Sequence, residues 1–183
     1  MLIAVTGSHS VGKTVLVDNL RKKLSLKYDV SIIHEMARKL IAKGFKMNMD
    51  ITEYGVINYA FEYLHAERNF HSEIVISDRS VIDLLAYIKV NKSPKIKPKV
   101  ISLIEEIVFL ESRRVDFYFY IPIEFPLQFD GVRPADLNYQ KSVDKMIQEL
   151  LSYYKIKNYK ITGTISKRVT KATKIINDFY KSI

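Results

Sequence analysis

The octapeptide Gly7-Ser8-His9-Ser10-Val11-Gly12-Lys13-Thr14 constrains this chain more than any other stretch. It follows the apolar run Leu2 to Val5 and precedes Val15, Leu16, Leu20 and Leu24, which recur at helical spacing. The pattern G-x-x-x-x-G-K-S/T lets the backbone curl until successive N–H groups converge on phosphate oxygens. The helix that follows adds the partial positive charge of its N-terminus. Lys13 is then placed to reach the β- and γ-phosphates, and Thr14 to offer its hydroxyl to Mg²⁺. Two glycines alone would fit any strand-to-helix turn, but Lys-Thr behind them would not. Residues Gly7 to Val15 are therefore expected to hold a nucleoside triphosphate.

Such a loop requires a buried parallel strand before it and a packed helix behind it, and the remaining chain repeats that alternation. Val30 to Ile33 is a second short β-branched run, followed by a helical segment that carries Leu40 and Ile41 and stops at Gly44. From Asp50 to His71 the pattern is helical, with Asp50 or Thr52 suited to cap it and Tyr54, Ile57, Phe61 and Leu64 on one face. Tyr59, Phe61 and Tyr63 are consistent with a base pocket, but aromatics at helical spacing are more often core. Ile74 to Ser77 is a third strand, and a helix with Val81, Leu84, Leu85 and Ile88 follows it. Asn91 to Lys99 is a loop, Val100 to Glu111 a helix, and Val115 to Ile121 a fourth strand rich in β-branched and aromatic residues. Pro122, Pro126 and Pro134 punctuate an irregular segment that reads as a lid over about 123–137. Val143, Ile147, Leu150 and Leu151 mark a helix, Tyr159 to Thr162 a fifth strand, and Ile165 to Tyr180 a closing helix. Alternation of this kind implies a parallel sheet covered on both faces, with ligands at the carboxyl ends of its strands.

At 183 residues the chain is expected to form one domain, 1–183. The absence of cysteine excludes disulfides, thiolate zinc sites and cysteine nucleophiles. No apolar run reaches the roughly 18 residues of a membrane span, and the first residues already form a strand rather than a leader. Dependence on a nucleoside triphosphate points to the cytoplasm. The net charge of +9 comes from lysines scattered along the chain. It fits a solvated surface, a polyanion partner or steering of phosphorylated ligands.

Phosphoryl transfer needs charge neutralisation, a metal holder and a group that orients the acceptor hydroxyl. Each has a candidate after a strand. Asp78 ends the third strand, where a carboxylate can hold Mg²⁺, although Asp before a helix is also a common cap. Glu35 follows the second strand and is suited to accept a proton from a hydroxyl or to bind a sugar, or else to complement the helix dipole. Arg38, three residues on, either frames the same substrate or pairs with Glu35. Arg79 and Arg133 offer planar guanidinium groups to a transferred phosphoryl group, Arg133 from the lid. His34 reads as structural, and Arg113 and Arg114 as complements to a helix dipole.

The ordered set GSHSVGKT, EMAR at 35–38, SDRS at 77–80, DGVRP at 130–134 and ITG at 161–163 resembles the small P-loop kinases of the ribosylnicotinamide kinase type and related AAA-labelled proteins. It is also similar to the wider group of nucleoside and nucleoside monophosphate kinases, in which an Asp/Glu-Arg-Ser element follows the third strand. The resemblance spans nearly the whole chain. It implies an α/β P-loop fold of three layers, with a five-stranded parallel sheet in the order 2-3-1-4-5. It further implies that Lys13 and Thr14 serve ATP and Mg²⁺, and that Asp78 serves metal or acceptor. Arg79 and Arg133 would neutralise phosphate, Glu35 would face the acceptor, and the loop from Gly163 to Arg168 would lie near adenine. The lid holds one arginine where many monophosphate kinases have several, which favours a nucleoside-like acceptor over a nucleotide-like one. The expected function is an ATP- and Mg²⁺-dependent phosphotransferase acting on a nucleoside, ribosylnicotinamide or nucleoside monophosphate. A polynucleotide end kinase and a regulatory NTP switch are the alternatives, and a nucleic-acid partner or a homodimer is compatible with the sequence.

Overall fold

The computed structural model describes residues 1–47, 50–92, 95–126 and 136–182. The Asp130 to Pro134 motif with its Arg133, and most of the lid-like segment, lie outside the described residues. Five strands, β1 (Leu2–Thr6), β2 (Val30–Ile33), β3 (Ile74–Asp78), β4 (Phe117–Tyr120) and β5 (Asn158–Lys160), form one parallel sheet in the order β2-β3-β1-β4-β5. This is the expected order. Among the described residues seven helices connect and flank them: α1 (Lys13–Leu24), α2 (Met36–Ala42), α3 (Glu53–Asn69), α4 (Val81–Asn91), α5 (Pro98–Glu111), α6 (Leu137–Tyr153) and α7 (Ile165–Tyr180).

Strand side chains alternate between faces, so one sheet feeds two cores. Ile3, Val5, Ile74, Ile76, Phe117 and Phe119 pack beneath α1 and α7. Phe117 meets Phe119, Tyr159 and Phe179 edge-on, with ring centroids 5.0–5.4 Å apart. Ala4, Val75, Tyr118 and Tyr120 face the other way, against the layer built from α2 to α6. Within that layer α4 is the central helix. It is buried from Val81 to Ile88 and packs on both α5 and α6.

The burial of α3 differs from the sequence reading. Thr52 rather than Asp50 caps it, accepting a hydrogen bond from the Gly55 N–H. Tyr54, Ile57 and Phe61 face solvent, while Val56, Tyr59, Ala60 and Tyr63 are buried. Both stripes satisfy the helical period, and it is the stripe of Val56, Tyr59, Ala60 and Tyr63 that packs into the core. Val15 is likewise exposed rather than part of the α1 core.

At the pole away from the strand ends, Arg114 does not merely complement a helix dipole. Its Nε lies 3.9 Å from a Glu67 oxygen and 3.7 Å from a Glu111 oxygen, and Arg68 donates to Glu111 at 2.8 Å. Burial, then the hydrogen bond and charge of Glu111, push the Glu67 carboxyl up to about 8. A value raised in the fold means that Glu67 favours the folded state most below its unfolded value. That contribution is lost as pH rises through about 8. Glu67→Gln should therefore raise the melting temperature relative to wild type at pH 8.5, with the advantage vanishing by pH 5. A pH-independent difference in calorimetry would contradict the shared-proton reading.

Candidate active site

The loop between β1 and α1 folds as its glycines require. Gly7 adopts φ +146°, and a Cβ there would lie 2.4 Å from the Ile121 carbonyl oxygen. Gly12 adopts φ +88° at the start of α1. Ser10 also has positive φ, so the loop turns its N–H groups inward at the helix N-terminus. Lys13 is buried and donates to the carbonyls of Gly7, at 2.8 Å, and Ser8. Burial, then the nearby Arg79 charge, lowers its ammonium to about 7. His9 points away from the loop mouth. Its ring packs between Tyr87 and Tyr139, and its carbonyl accepts from Gln140 at 2.7 Å, so only its backbone is placed to face a phosphate.

Register sets the next contact. Val5 pairs with Asp78, which brings the end of β3 beside the loop, and the Thr14 hydroxyl donates to Asp78 Oδ2 at 2.6 Å. Asp78 is not a helix cap, because Ser80 caps α4 through a reciprocal arrangement with Asp83. Asp78 Oδ1 is buried without a hydrogen-bond partner. A hydroxyl oxygen beside a carboxylate with an unsatisfied buried oxygen suits Mg²⁺, which takes hard oxygen ligands and draws the rest from phosphates and water. No cluster of three His, Cys, Asp or Glu residues that could cage a metal occurs among the described residues.

Arg79 sits one residue further on, with φ +86°, a left-handed conformation that non-glycine residues seldom adopt. Its guanidinium is buried, donating from Nε to Glu35 at 2.7 Å and from Nη1 to Asp83 at 3.4 Å, with the Tyr87 ring 5.6 Å away. Glu35 begins α2, but its side chain makes no capping bond. Instead its second oxygen accepts from Arg38 at 3.1 Å, so the alternative of a simple dipole partner does not hold. Glu35, Arg79 and Asp83 line a small cleft whose remaining walls are Ala37, Met47, Ile51, Tyr59, Leu84 and Tyr87. His34 is exposed beside it.

On the opposite side of the loop, Arg168 is buried and held through both terminal nitrogens. It donates to the Val11 carbonyl at 2.7 Å and to Glu124 at 2.8 Å, and Glu124 also accepts from the Gly163 N–H at 2.8 Å. Arg168 and Gly163 therefore brace the phosphate loop as well as flanking it. An open cleft between them is walled by Val15, Ile165, Phe125 and Pro126. Its three large apolar side chains, Val15, Phe125 and Ile165, are among the exposed ones of the protein, and they offer flat contact for a base.

The structure thus brings together Lys13, Thr14, Glu35, Arg38, Asp78, Arg79, Gly163 and Arg168 at one sheet edge. Arg133 falls outside the described residues. Sequence reasoning missed Asp83, Tyr87, Glu124 and Gln140. Asp83 was legible as the third residue after Ser80, the spacing of a capping box, and Tyr87 as its neighbour one turn on. Nothing local marks Glu124 or Gln140.

This sheet order, loop and set of strand-end carboxylates define a P-loop protein with the fold of the nucleotide kinases. A family model described as an AAA domain matches residues 2–168, and the chain belongs to that family. No curated protein sequence matches it. Among solved structures, the chain resembles deoxyadenosine kinase from M. mycoides with the products dCMP and a flexible dCDP bound. That match has a TM-score of 0.69 and 14% identity, and covers 98% of this chain and 100% of that one. It also resembles the NadR protein in complex with NAD and AMP-PNP, with a TM-score of 0.73 and 16% identity. The match covers all of this chain but only 49% of NadR. Thymidylate kinase from Ehrlichia chaffeensis matches at a TM-score of 0.67 and 18% identity, over 96% of this chain and 98% of that one.

The lowered Lys13 value gives a direct test of the loop. A bound polyphosphate must restore its charge, so binding ATP at pH 8 should take up a proton, whereas binding at pH 6 should not. Titration calorimetry in buffers of different ionisation enthalpy reads this uptake, and Lys13→Ala should abolish it. Buffer-independent heats at pH 8 would contradict the assignment.

Proposed function

We propose that the chain is an ATP- and Mg²⁺-dependent phosphotransferase whose acceptor is a nucleoside-like hydroxyl compound without a phosphate group. The observation that carries this reading is the position of Glu35. It stands at the end of β2 beside the buried Arg79, at the same edge as Lys13, Thr14 and Asp78. The kinase names of two of the similar structures support the reaction class.

The loop N–H groups and Lys13 hold the β- and γ-phosphates, and the base lies in the Val15–Phe125 cleft. Thr14 and Asp78 would hold Mg²⁺, which neutralises charge on the phosphates when bound. Glu35 accepts the proton of the acceptor hydroxyl, since a carboxylate oxygen can accept more than one hydrogen bond. The acceptor oxygen bonds to the γ-phosphorus as the bond to the β–γ bridging oxygen breaks. ADP leaves, and the proton stays on Glu35 until solvent takes it. Arg79 keeps Glu35 ionised and oriented.

The charge pattern favours such an acceptor. Arg79 is occupied by two carboxylates, and Arg38 bonds Glu35. A phosphate entering this cleft would meet Glu35 and Asp83, with Arg79 already engaged by both. The remaining walls, Ala37, Met47, Ile51, Tyr59, Leu84 and Tyr87, offer it no counter-charge.

With ATP and Mg²⁺, a panel of nucleosides and nicotinamide riboside should include at least one compound that stimulates ADP formation, while the corresponding monophosphates should not. Glu35→Gln should lower kcat by about 10²–10⁴-fold with the circular dichroism spectrum unchanged. ADP formation indifferent to every acceptor, or stimulated only by monophosphates, would overturn the reading.

A further inference from the structure

The positive charge of the chain is divided unequally between the two sides of the sheet. On the side of α2 to α6, five lysines are neutralised locally. Lys39 and Lys43 share Glu62, Lys89 meets Glu105, Lys97 meets Glu53 and Lys145 meets Glu149. On the other side, Lys167, Lys171, Lys174 and Lys181 are all exposed on α7 or at its C-terminus. They lie at intervals of four, three and seven residues, so they form one line about 21 Å long at 1.5 Å per residue.

Two edge-strand lysines continue that line. Lys171 reaches across to donate to the Lys160 carbonyl at 2.8 Å, and the Lys157 ammonium lies 4.6 Å from the centre of the Phe179 ring. Among the described residues none of these six lysines has a carboxylate within ion-pair distance. Neighbouring α1 adds exposed Arg21, Lys22 and Lys23. The carboxylate within the line is Asp178.

We infer that this α7–β5 line is a docking surface for the phosphate backbone of a nucleic-acid duplex, separate from the phosphoryl-transfer site. A protein partner would call for an apolar or aromatic centre, and an anionic membrane for apolar side chains that enter the interface. The residues between the lysines are Ser166, Thr170 and Asp178 instead, and among the described residues no large hydrophobic residue is exposed along the line beyond Ile165, which belongs to the base cleft. A single strand is usually gripped by stacking its bases on exposed aromatic rings, and Tyr159 and Phe179 are engaged in the core with Phe117. A row of flexible point charges fits a duplex backbone read without regard to sequence. The sheet separates this row from the cleft at Glu35, so a bound duplex lies beside the donor-side helix and its ends stay away from the acceptor position.

The test uses the full chain without nucleotide, in wild type and in Lys13→Ala, so that its result is independent of any transferase activity. Fluorescence anisotropy with a labelled 20-base-pair duplex should show binding whose log K falls against log salt with a slope of about −4. Lys171→Gln/Lys174→Gln/Lys181→Gln should weaken it at least about tenfold at 0.1 M salt and flatten the slope by about 2. Lys99→Gln/Lys141→Gln/Lys145→Gln, with the same change in net charge on the other side, should not. Equal losses in the two triple variants would overturn the site. So would tighter binding of a single strand or of phosphatidylserine vesicles.

Discussion

The buried guanidinium of Arg79 is the interaction on which the site depends. It occupies a left-handed backbone position immediately after β3, and it links the ends of two strands and the first turn of α4 by donating to Glu35 and Asp83. Leaving such a charge unpaired would cost several kcal/mol, so neither carboxylate can be lost without forcing the others to rearrange. Burial pushes the Asp83 carboxyl up, against the pull of Arg79 and Lys13. The network is balanced between desolvation and charge, and it is balanced where the proposed chemistry needs an oriented base.

The same economy holds on the donor side. Arg168 is the counterpart of Arg79, buried and committed to Val11 and Glu124, and it ties α7 to the phosphate loop. Two arginines thus stiffen the rims of the loop from opposite layers, while Thr14 and Asp78 join its floor to β3. Preorganised dipoles and charges of this kind stabilise a developing phosphoryl transition state without reorganisation at the moment of reaction. The surface is also divided, with several lysines paired locally on the side of α2 to α6 and a row of unpaired lysines on α7.

Much of this was legible in the sequence because a few local rules act without competition. A glycine loop with Lys-Thr behind an apolar run admits one geometry, and short β-branched runs between helical patterns admit a parallel sheet. Helix faces were less legible. On α3 the aromatic stripe of Tyr54, Ile57 and Phe61 and that of Tyr59 and Tyr63 obey the same period, and only the tertiary packing of Val56 and Ala60 against the sheet decides between them. Long-range partners such as Glu124 and Gln140 leave no local signal, since each is distant in sequence from the loop residue it touches or braces. Strand-end positions proclaimed Glu35 and Asp78, and the i,i+3 spacing allowed Arg38 to pair with Glu35, but the bond from Arg79 to Glu35 depends on three dimensions.

The account turns on Glu35 as the group that receives the acceptor hydroxyl. A crystal structure with a non-hydrolysable ATP analogue, Mg²⁺ and a nucleoside acceptor tests it most directly. The acceptor hydroxyl should lie about 2.6–3.2 Å from a Glu35 oxygen and in line with the γ-phosphorus, with Arg79 still bound to the same carboxylate. A nucleoside seated elsewhere, or a Glu35 carboxylate out of reach of any acceptor hydroxyl, would contradict it.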